Sequence, residues 1–165
     1  MQPNILIFGY GNPSRGDDAL GPLLLERLET SPLIGQTAAT RVELLTDFQL
    51  QIEHTLDMLG HDAVVFVDAH TRCPAPCTFS PLTASEDRSY TTHALSPGAL
   101  LRVFQDVHPN TPLPPAFLLS IRGYQFELGA PLSPEATANL AAATQLMTEL
   151  LTQPDLRVWQ TRANG

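Results

Sequence analysis

The sequence has few basic residues, few cysteines and no long apolar run. Lys and Arg together number 9 against 17 Asp and Glu, which gives a net charge of -8. So acidic a chain, without a basic cluster, is a poor partner for nucleic acid or an anionic membrane. No apolar stretch approaches the roughly 20 residues that cross a bilayer, and the start lacks the basic region and cleavage site of a signal peptide. We therefore expect a cytoplasmic protein that binds neither nucleic acid nor membrane.

The two cysteines, Cys73 and Cys77, stand on either side of a Pro-Ala-Pro sequence. No other cysteine is present to complete a four-thiolate zinc site. Three interpretations are open: free thiols, a labile local disulfide, or half of a metal site that His70 completes. A reducing cytosol favours free thiols.

Short apolar runs alternate with helical patterns along the whole chain. Strands are predicted at residues 5–8, 41–45, 63–70 and 116–121, with a short edge strand or hairpin at 77–82. Helices are predicted from residue 20 and over 50–59, 97–107 and 134–151, with a tail that frays beyond Trp159. This alternation predicts an α/β fold, with a mostly parallel twisted sheet of about five strands and helices on both faces. The length suits a single domain over residues 1–165.

The glycine-rich loop after the first strand ends in two adjacent carboxylates, Asp17 and Asp18, where a helix is expected to begin. A helix N-terminus favours acidic residues, so capping explains one of them. Neighbours on a helix point about 100° apart, so the other faces the carboxyl end of the strand, where ligands bind in open α/β sheets. Asp18 is the better candidate for that position.

Two further residues fall at comparable places. Asp68 ends the most strongly apolar strand, and His93 lies in the loop before the helix that begins near Pro97. Each residue also has a structural explanation. Asp18 would cap the helix, Asp68 would form a hydrogen bond with a neighbouring loop, and His93 would form one with the start of the helix. If the three converge, two carboxylates and an imidazole form a site that suits zinc, nickel or a related divalent ion.

Three segments of the sequence together resemble the hydrogenase maturation proteases. They are GYGNPSRGDDALG at residues 9–21, the strand that ends at Asp68, and HALSP at residues 93–97. These endopeptidases remove a C-terminal extension from the large-subunit precursor of nickel-iron hydrogenases. The resemblance spans roughly residues 5–150. With QLQIE at residues 49–53, it is greatest for the branch that serves cytoplasmic, cofactor-reducing hydrogenases.

The resemblance implies a set of functional residues and a partner. Asp18, Asp68 and His93 would be both the metal-binding and the catalytic residues of an aspartyl-type or metal-dependent endopeptidase. The nickel would arrive with the hydrogenase precursor, and no organic cofactor would be needed. One departure concerns docking, because residues 47–49 (DFQ) stand where many relatives have a Gly-rich turn.

Common protease motifs are absent, since neither a Gly-x-Ser-x-Gly elbow nor a His-Glu-x-x-His helix occurs. Asp17 and Glu53 are candidate proton acceptors for a metal-assisted hydrolysis. A non-catalytic nickel-sensing assembly factor or metallochaperone could use the same ligands. A nucleotide-binding module is suggested by Gly9 and Gly11, but Ser14 replaces the third glycine and the two carboxylates would repel a pyrophosphate.

Overall fold

The computed structural model describes residues 3–34, 40–85 and 95–164. Its strands form one sheet: β1 (Asn4–Tyr10), β2 (Arg41–Asp47), β3 (Ala63–His70), β4 (Cys77–Leu82) and β5 (Ala116–Arg122). The α-helices are α1 (Leu20–Glu29), α2 (Pro97–Val107), α3 (Pro134–Thr152) and α4 (Leu156–Asn164). Two short 3-10 helices occupy Gly16–Ala19 and Ile52–Thr55. The strand order is β2-β1-β3-β5-β4, and the neighbours pair in parallel except β4, which runs antiparallel to β5.

The sheet is buried on both faces because apolar residues occupy successive positions of its central strands. Alternate side chains of β1 and β3 enter opposite cores. On one face Ile5, Ile7, Val65 and Val67 pack with α1, α3 and α4. On the other face Leu6, Phe8, Tyr10, Val64 and Phe66 pack with α2 and the segment after β2. The predicted α/β sheet with helices on both faces is therefore confirmed.

Helix α1 begins in close contact with the sheet, because two glycines face each other. A Cβ at Gly9 would lie 2.6 Å from the carbonyl oxygen of Gly21, and one at Gly21 would lie 2.7 Å from that of Val67. Both distances are too short for any side chain. The glycines thus fix the distance between α1 and the carboxyl ends of β1 and β3.

The helix predicted over residues 50–59 is wrong. The segment forms the 3-10 helix Ile52–Thr55 and then turns whose hydrogen bonds join residues three apart, such as Asp57 N–H to His54 O. Its start is fixed by His54 Nδ1, which accepts a hydrogen bond from the Gln51 N–H at 2.8 Å. Local side-chain bonding of this kind competes with the regular helix that the apolar spacing indicates.

The predicted fraying of the tail beyond Trp159 is also wrong. Helix α4 continues to Asn164, and the indole of Trp159 is fully buried. Its N–H group donates to the carbonyl oxygens of Leu150 at 3.0 Å and Gln153 at 3.2 Å. The tail is held to α3 by these bonds and by the apolar contact of the ring.

A helix that crosses a membrane is both long and apolar. Among residues 3–34, 40–85 and 95–164, no helix meets both conditions.

Candidate active site

Tyr10 and Asp68 form a hydrogen-bonded pair at the carboxyl ends of the two central strands. Gly9 pairs with Val67 in the parallel register, so the next residues of both strands lie side by side on the face that α2 covers. The Tyr10 hydroxyl donates to the Asp68 carboxylate. Burial raises the pKa of Tyr10 well above its ordinary value, and the negative charge of Asp68 raises it further. Tyr10 therefore acts as a hydrogen-bond donor to Asp68.

The carboxyl group of Asp68 is perturbed by its position in the sheet. Burial raises its pKa to about 7, although the Tyr10 hydroxyl and the Ala69 N–H group oppose the rise. The negative charge of Asp18 contributes to the increase. A carboxyl group with such a pKa at the carboxyl end of a central strand has the environment typical of a functional residue.

Asp18 lies on the 3-10 helix Gly16–Ala19 and is partly buried. Its Oδ2 atom accepts a hydrogen bond of 2.7 Å from the Asn12 N–H group, which orients the carboxylate. Gly11 makes this arrangement possible: its φ of 146° favours glycine, and a Cβ there would overlap the carbonyl oxygen of Asp18. The loop thus brings the Asp18 carboxylate close enough to influence both Tyr10 and Asp68.

Asp17, in contrast, is a structural residue. Its side chain is fully buried, and its Oδ2 accepts hydrogen bonds from the N–H groups of Tyr124 and Gln125 and from the Ser133 hydroxyl. Oδ1 accepts from the Ser133 N–H at 2.8 Å. Burial by itself raises the pKa of Asp17, but these four bonds outweigh it and hold the pKa below its usual value.

The sequence analysis expected one of the two acids to cap the helix that follows them. The structure shows no side-chain cap at either that 3-10 helix or α1. Asp17 instead holds Ser133, the residue that caps the N-terminus of α3. Because both of its oxygens are engaged within the protein, a structural role is favoured over the suggested role as proton acceptor. The other suggested acceptor, Glu53, is exposed on the second 3-10 helix.

His93 lies outside the described residues. The prediction that it joins Asp18 and Asp68 therefore stays a prediction. Within the described ranges, no group of three or more His, Cys, Asp or Glu side chains is arranged to hold a metal ion. A three-ligand site at this edge of the sheet would thus need a contribution from residues 86–94.

The sequence analysis missed a second pair, formed by Asp47 and His54. Asp47 is the register partner of Tyr10 on β2 and faces His54 Nε2 at 3.2 Å. His54 is buried, and its ring meets that of Phe8 edge-on at 4.5 Å between centroids. Because Nδ1 accepts from the Gln51 N–H group, Nε2 carries the proton that is donated to Asp47. The pair fixes the segment after β2 next to the acidic residues.

The cysteines and His70 do not form a metal site in the described structure. Both cysteines are free, and the Cys73 thiol lies 3.7 Å from the carbonyl oxygen of Ser120. His70 Nδ1 accepts hydrogen bonds from the N–H groups of Arg72 and Cys73, each at 2.9 Å. Burial raises the pKa of both thiols, which favours their protonated form. Of the three interpretations, free thiols agree with the structure.

The donors that the structure brings together suit a divalent cation. Asp18 and Asp68 offer carboxylate oxygens at one edge of the sheet, and repulsion from Asp18 adds to the increase in the pKa of Asp68 that burial causes. A cation between them would offset that repulsion, and oxygen donors with a further imidazole fit zinc or nickel. The Asn12 N–H group donates to the Asp18 carboxylate, and the Tyr10 hydroxyl donates to that of Asp68.

The fold and the paired acids define an α/β domain with a candidate ion-binding or hydrolytic site at the carboxyl end of its sheet. No family model and no curated protein sequence matches the chain. Solved structures do match. The nickel-iron hydrogenase maturation protease HycI from Thermococcus kodakarensis has a TM-score of 0.70 and 22% identity, over 92% of this chain and 94% of that one.

Two further structures match a comparable share of this chain. The hydrogenase maturating endopeptidase HybD from Escherichia coli has a TM-score of 0.67 and 23% identity, over 91% of this chain and 92% of that one. The hydrogenase 2 maturation peptidase from a Thaumarchaeota archaeon has a TM-score of 0.62 and 22% identity, over 90% and 97%. The chain therefore has the fold of the nickel-iron hydrogenase maturation proteases.

Proposed function

We propose that this chain is an endopeptidase that removes the C-terminal extension from the large-subunit precursor of a nickel-iron hydrogenase after nickel insertion. One observation supports this most strongly. The fold is shared over about nine-tenths of the chain with structures named as maturation proteases, and it carries Asp18 and Asp68 at the sheet edge. The proposal includes a cytoplasmic location and no organic cofactor.

In the proposed reaction the oxygen of a water molecule bonds to the scissile carbonyl carbon. The C–N bond breaks, the nitrogen leaves as an amine with a proton from that water, and the new C-terminus is a carboxylate. Asp18, Asp68 and His93 bind the nickel that the precursor carries, which places the scissile bond at the sheet edge. Tyr10 and Asn12 orient the two carboxylates through the O–H and N–H bonds already described.

The nucleotide-binding alternative has less support. Gly9 and Gly11 are explained by the close packing of α1 and by the position of Asp18, so a phosphate is not needed to account for them. The carboxylates of Asp18 and Asp68 occupy the edge where a pyrophosphate would bind and would repel it.

The test uses the purified chain with its precursor in nickel-loaded and metal-free forms, and it measures the intact mass of the large subunit. We expect loss of a C-terminal peptide from the loaded precursor only. Asp18→Asn and Asp68→Asn should abolish this loss, because an amide is a poor ligand for the ion. Asp106→Asn, the same change at an exposed carboxylate on α2, should leave it unchanged.

Other outcomes separate the alternatives. Transfer of nickel to the metal-free precursor without any change of mass supports a metallochaperone. Full processing by Asp18→Asn or Asp68→Asn would refute the assigned site, whether the ion is a catalyst or a check on correct loading.

A further inference from the structure

Large apolar side chains are exposed on the segment that follows β2. Phe48, Ile52 and Leu56 have 63%, 58% and 62% of their surface exposed, and we call these three residues the β2-side patch. Three large apolar side chains exposed within nine residues of one folded segment are a candidate interaction site.

The segment that carries the patch is fixed in place. Leu50 and Met58 are buried in the core beneath α2, and His54 bonds Asp47 at the end of β2. The segment therefore already has an apolar side in the core, and its second apolar side faces outward. A surface that is already fixed loses little conformational entropy when it binds a partner.

A second exposed apolar pair follows β5. Tyr124 is 45% exposed and Leu128 is 71% exposed, and we call these two residues the β5-side patch. Their loop is bonded to the loop that carries the acidic residues: Gly129 N–H donates to Ser14 O at 2.7 Å, and Tyr124 N–H donates to Asp17 Oδ2 at 2.7 Å.

The strand order sets the two patches on opposite sides of the acidic residues. β2 and β5 flank the central pair β1 and β3, which carry Tyr10 and Asp68 near their carboxyl ends. Strands lie about 4.8 Å apart, so the distance from β2 to β5 is roughly 14 Å. An extended peptide covers that distance with about four or five residues. An extended peptide that crosses the carboxyl-end edge of the sheet can thus contact both patches while one of its peptide bonds lies above the acidic residues.

Charge indicates what kind of partner fits. Glu53 and Asp57 directly follow Ile52 and Leu56 in the chain, and the whole protein has a net charge of -8. A second copy would bring these acids against each other, which is unfavourable. A segment with apolar and basic side chains would instead be complementary to the patch.

We propose that an extended segment of the precursor lies across the carboxyl-end edge of the sheet, with one apolar side chain on the β2-side patch and another on the β5-side patch. The scissile bond then lies between them, above Asp18 and Asp68. This inference rests on the proposed function, because it takes the hydrogenase precursor as the partner. It assigns substrate recognition to residues that do not contact the reacting bond.

The experiment measures binding separately from cleavage. Dissociation constants are determined for the metal-free and the nickel-loaded precursor, and the form that binds wild type more tightly serves as the probe. The variants are Phe48→Ser with Ile52→Ser, Leu128→Ser alone, and Val158→Ser as the matched control, an exposed apolar residue on α4. We expect the dissociation constant to rise at least about tenfold for each patch variant and to stay unchanged for the control.

Each outcome decides between the claims. Patch variants that bind as tightly as wild type overturn the inference, and so does a wild type that binds neither form. Weaker binding by the patch variants, with no cleavage by wild type, supports the docking surface and refutes the proposed function. Circular dichroism checks folding, and Leu128→Ser tests a separate loop if the Phe48 and Ile52 changes disturb the first. If wild type is a dimer and the patch variants are monomers, the patches are contacts between copies of this chain, and the inference is overturned.

Discussion

Asp17 and Asp18 are adjacent in the chain and have different surroundings. Asp17 is enclosed by hydrogen bonds from the loop between β5 and α3, whereas Asp18 is held by Asn12 and acts on Asp68. One residue joins distant parts of the chain, and its neighbour contributes to the candidate site. The two acids are therefore expected to respond differently to substitution.

Replacing Asp17 should lower stability strongly. In Asp17→Ala the N–H groups of Tyr124, Gln125 and Ser133 lose the buried carboxylate that accepts their hydrogen bonds, so we expect a loss of about 3–5 kcal/mol in the free energy of unfolding. The pKa of Asp17 is lower in the folded state than in the unfolded state, so its contribution to the free energy of unfolding is present above the ordinary carboxyl pKa. That contribution is lost as pH falls through the folded-state pKa, so the effect of Asp17→Ala should become smaller in acid. Urea unfolding measures both effects.

The control for that experiment is Asp106→Ala, an exposed carboxylate, which should change stability by less than about 0.5 kcal/mol. A loss below about 1 kcal/mol for Asp17→Ala would contradict the structural role.

The raised pKa of Asp68 predicts a stability cost above neutral pH. Between the ordinary carboxyl pKa and about 7 the folded state retains a proton that the unfolded state releases, so wild-type stability falls as pH rises through this range and levels off above it. Asp68→Asn removes this dependence. With a chelator present, the stability of Asp68→Asn relative to wild type should increase by about 2.5 kcal/mol between pH 5 and pH 8, since each pKa unit corresponds to about 1.36 kcal/mol. A difference independent of pH would show that the pKa is ordinary.

Sequence reasoning selected Asp18 and Asp68 but missed Tyr10. The alternation of Leu6, Phe8 and Tyr10 on one face of β1 carries the necessary signal, because the same face of β3 carries Asp68. The role of Asp17 could not be predicted, since its partners are more than 100 residues away along the chain.

At the level of elements, continuous apolar runs were sufficient to predict β1, β3 and β5, and Ser96 with Pro97 was sufficient for the start of α2. The errors fall where local sequence and tertiary contacts disagree. Residues 50–59 have the apolar spacing of a helix, but the hydrogen bonds of His54 favour a 3-10 helix and turns. The polar composition of α4 gives no indication that Trp159 is buried. Neither contact can be read from the sequence pattern.

Helix α4 should contribute substantially to stability through Trp159. The ring packs edge-on against Phe117 with 5.8 Å between centroids, so Trp159→Ala leaves a large cavity. We expect a loss of about 3–5 kcal/mol by urea unfolding, and a smaller loss for Trp159→Phe. Val158→Ala, the exposed neighbour, is the control and should be nearly neutral. Equal effects at both positions would contradict the packing.

At the scale of the whole molecule, the sheet gathers its polar chemistry at one end. The parallel strands β1, β2 and β3 end at Tyr10, Asp47 and near Asp68, and the exposed apolar patches lie in the segments after β2 and β5. Helices cover both faces, so the carboxyl-end edge is left as the surface for a substrate. The acidic charge of the chain favours a partner with basic and apolar side chains.

We propose that Asp18, Asp68 and His93 together hold the divalent ion that a precursor presents. Anomalous X-ray scattering at the nickel edge, from crystals soaked in a nickel salt, measures this directly. We predict one ion at about 2.0–2.2 Å from both carboxylates and from the imidazole. An ion bound elsewhere, or one that does not touch Asp18 and Asp68, would contradict the account.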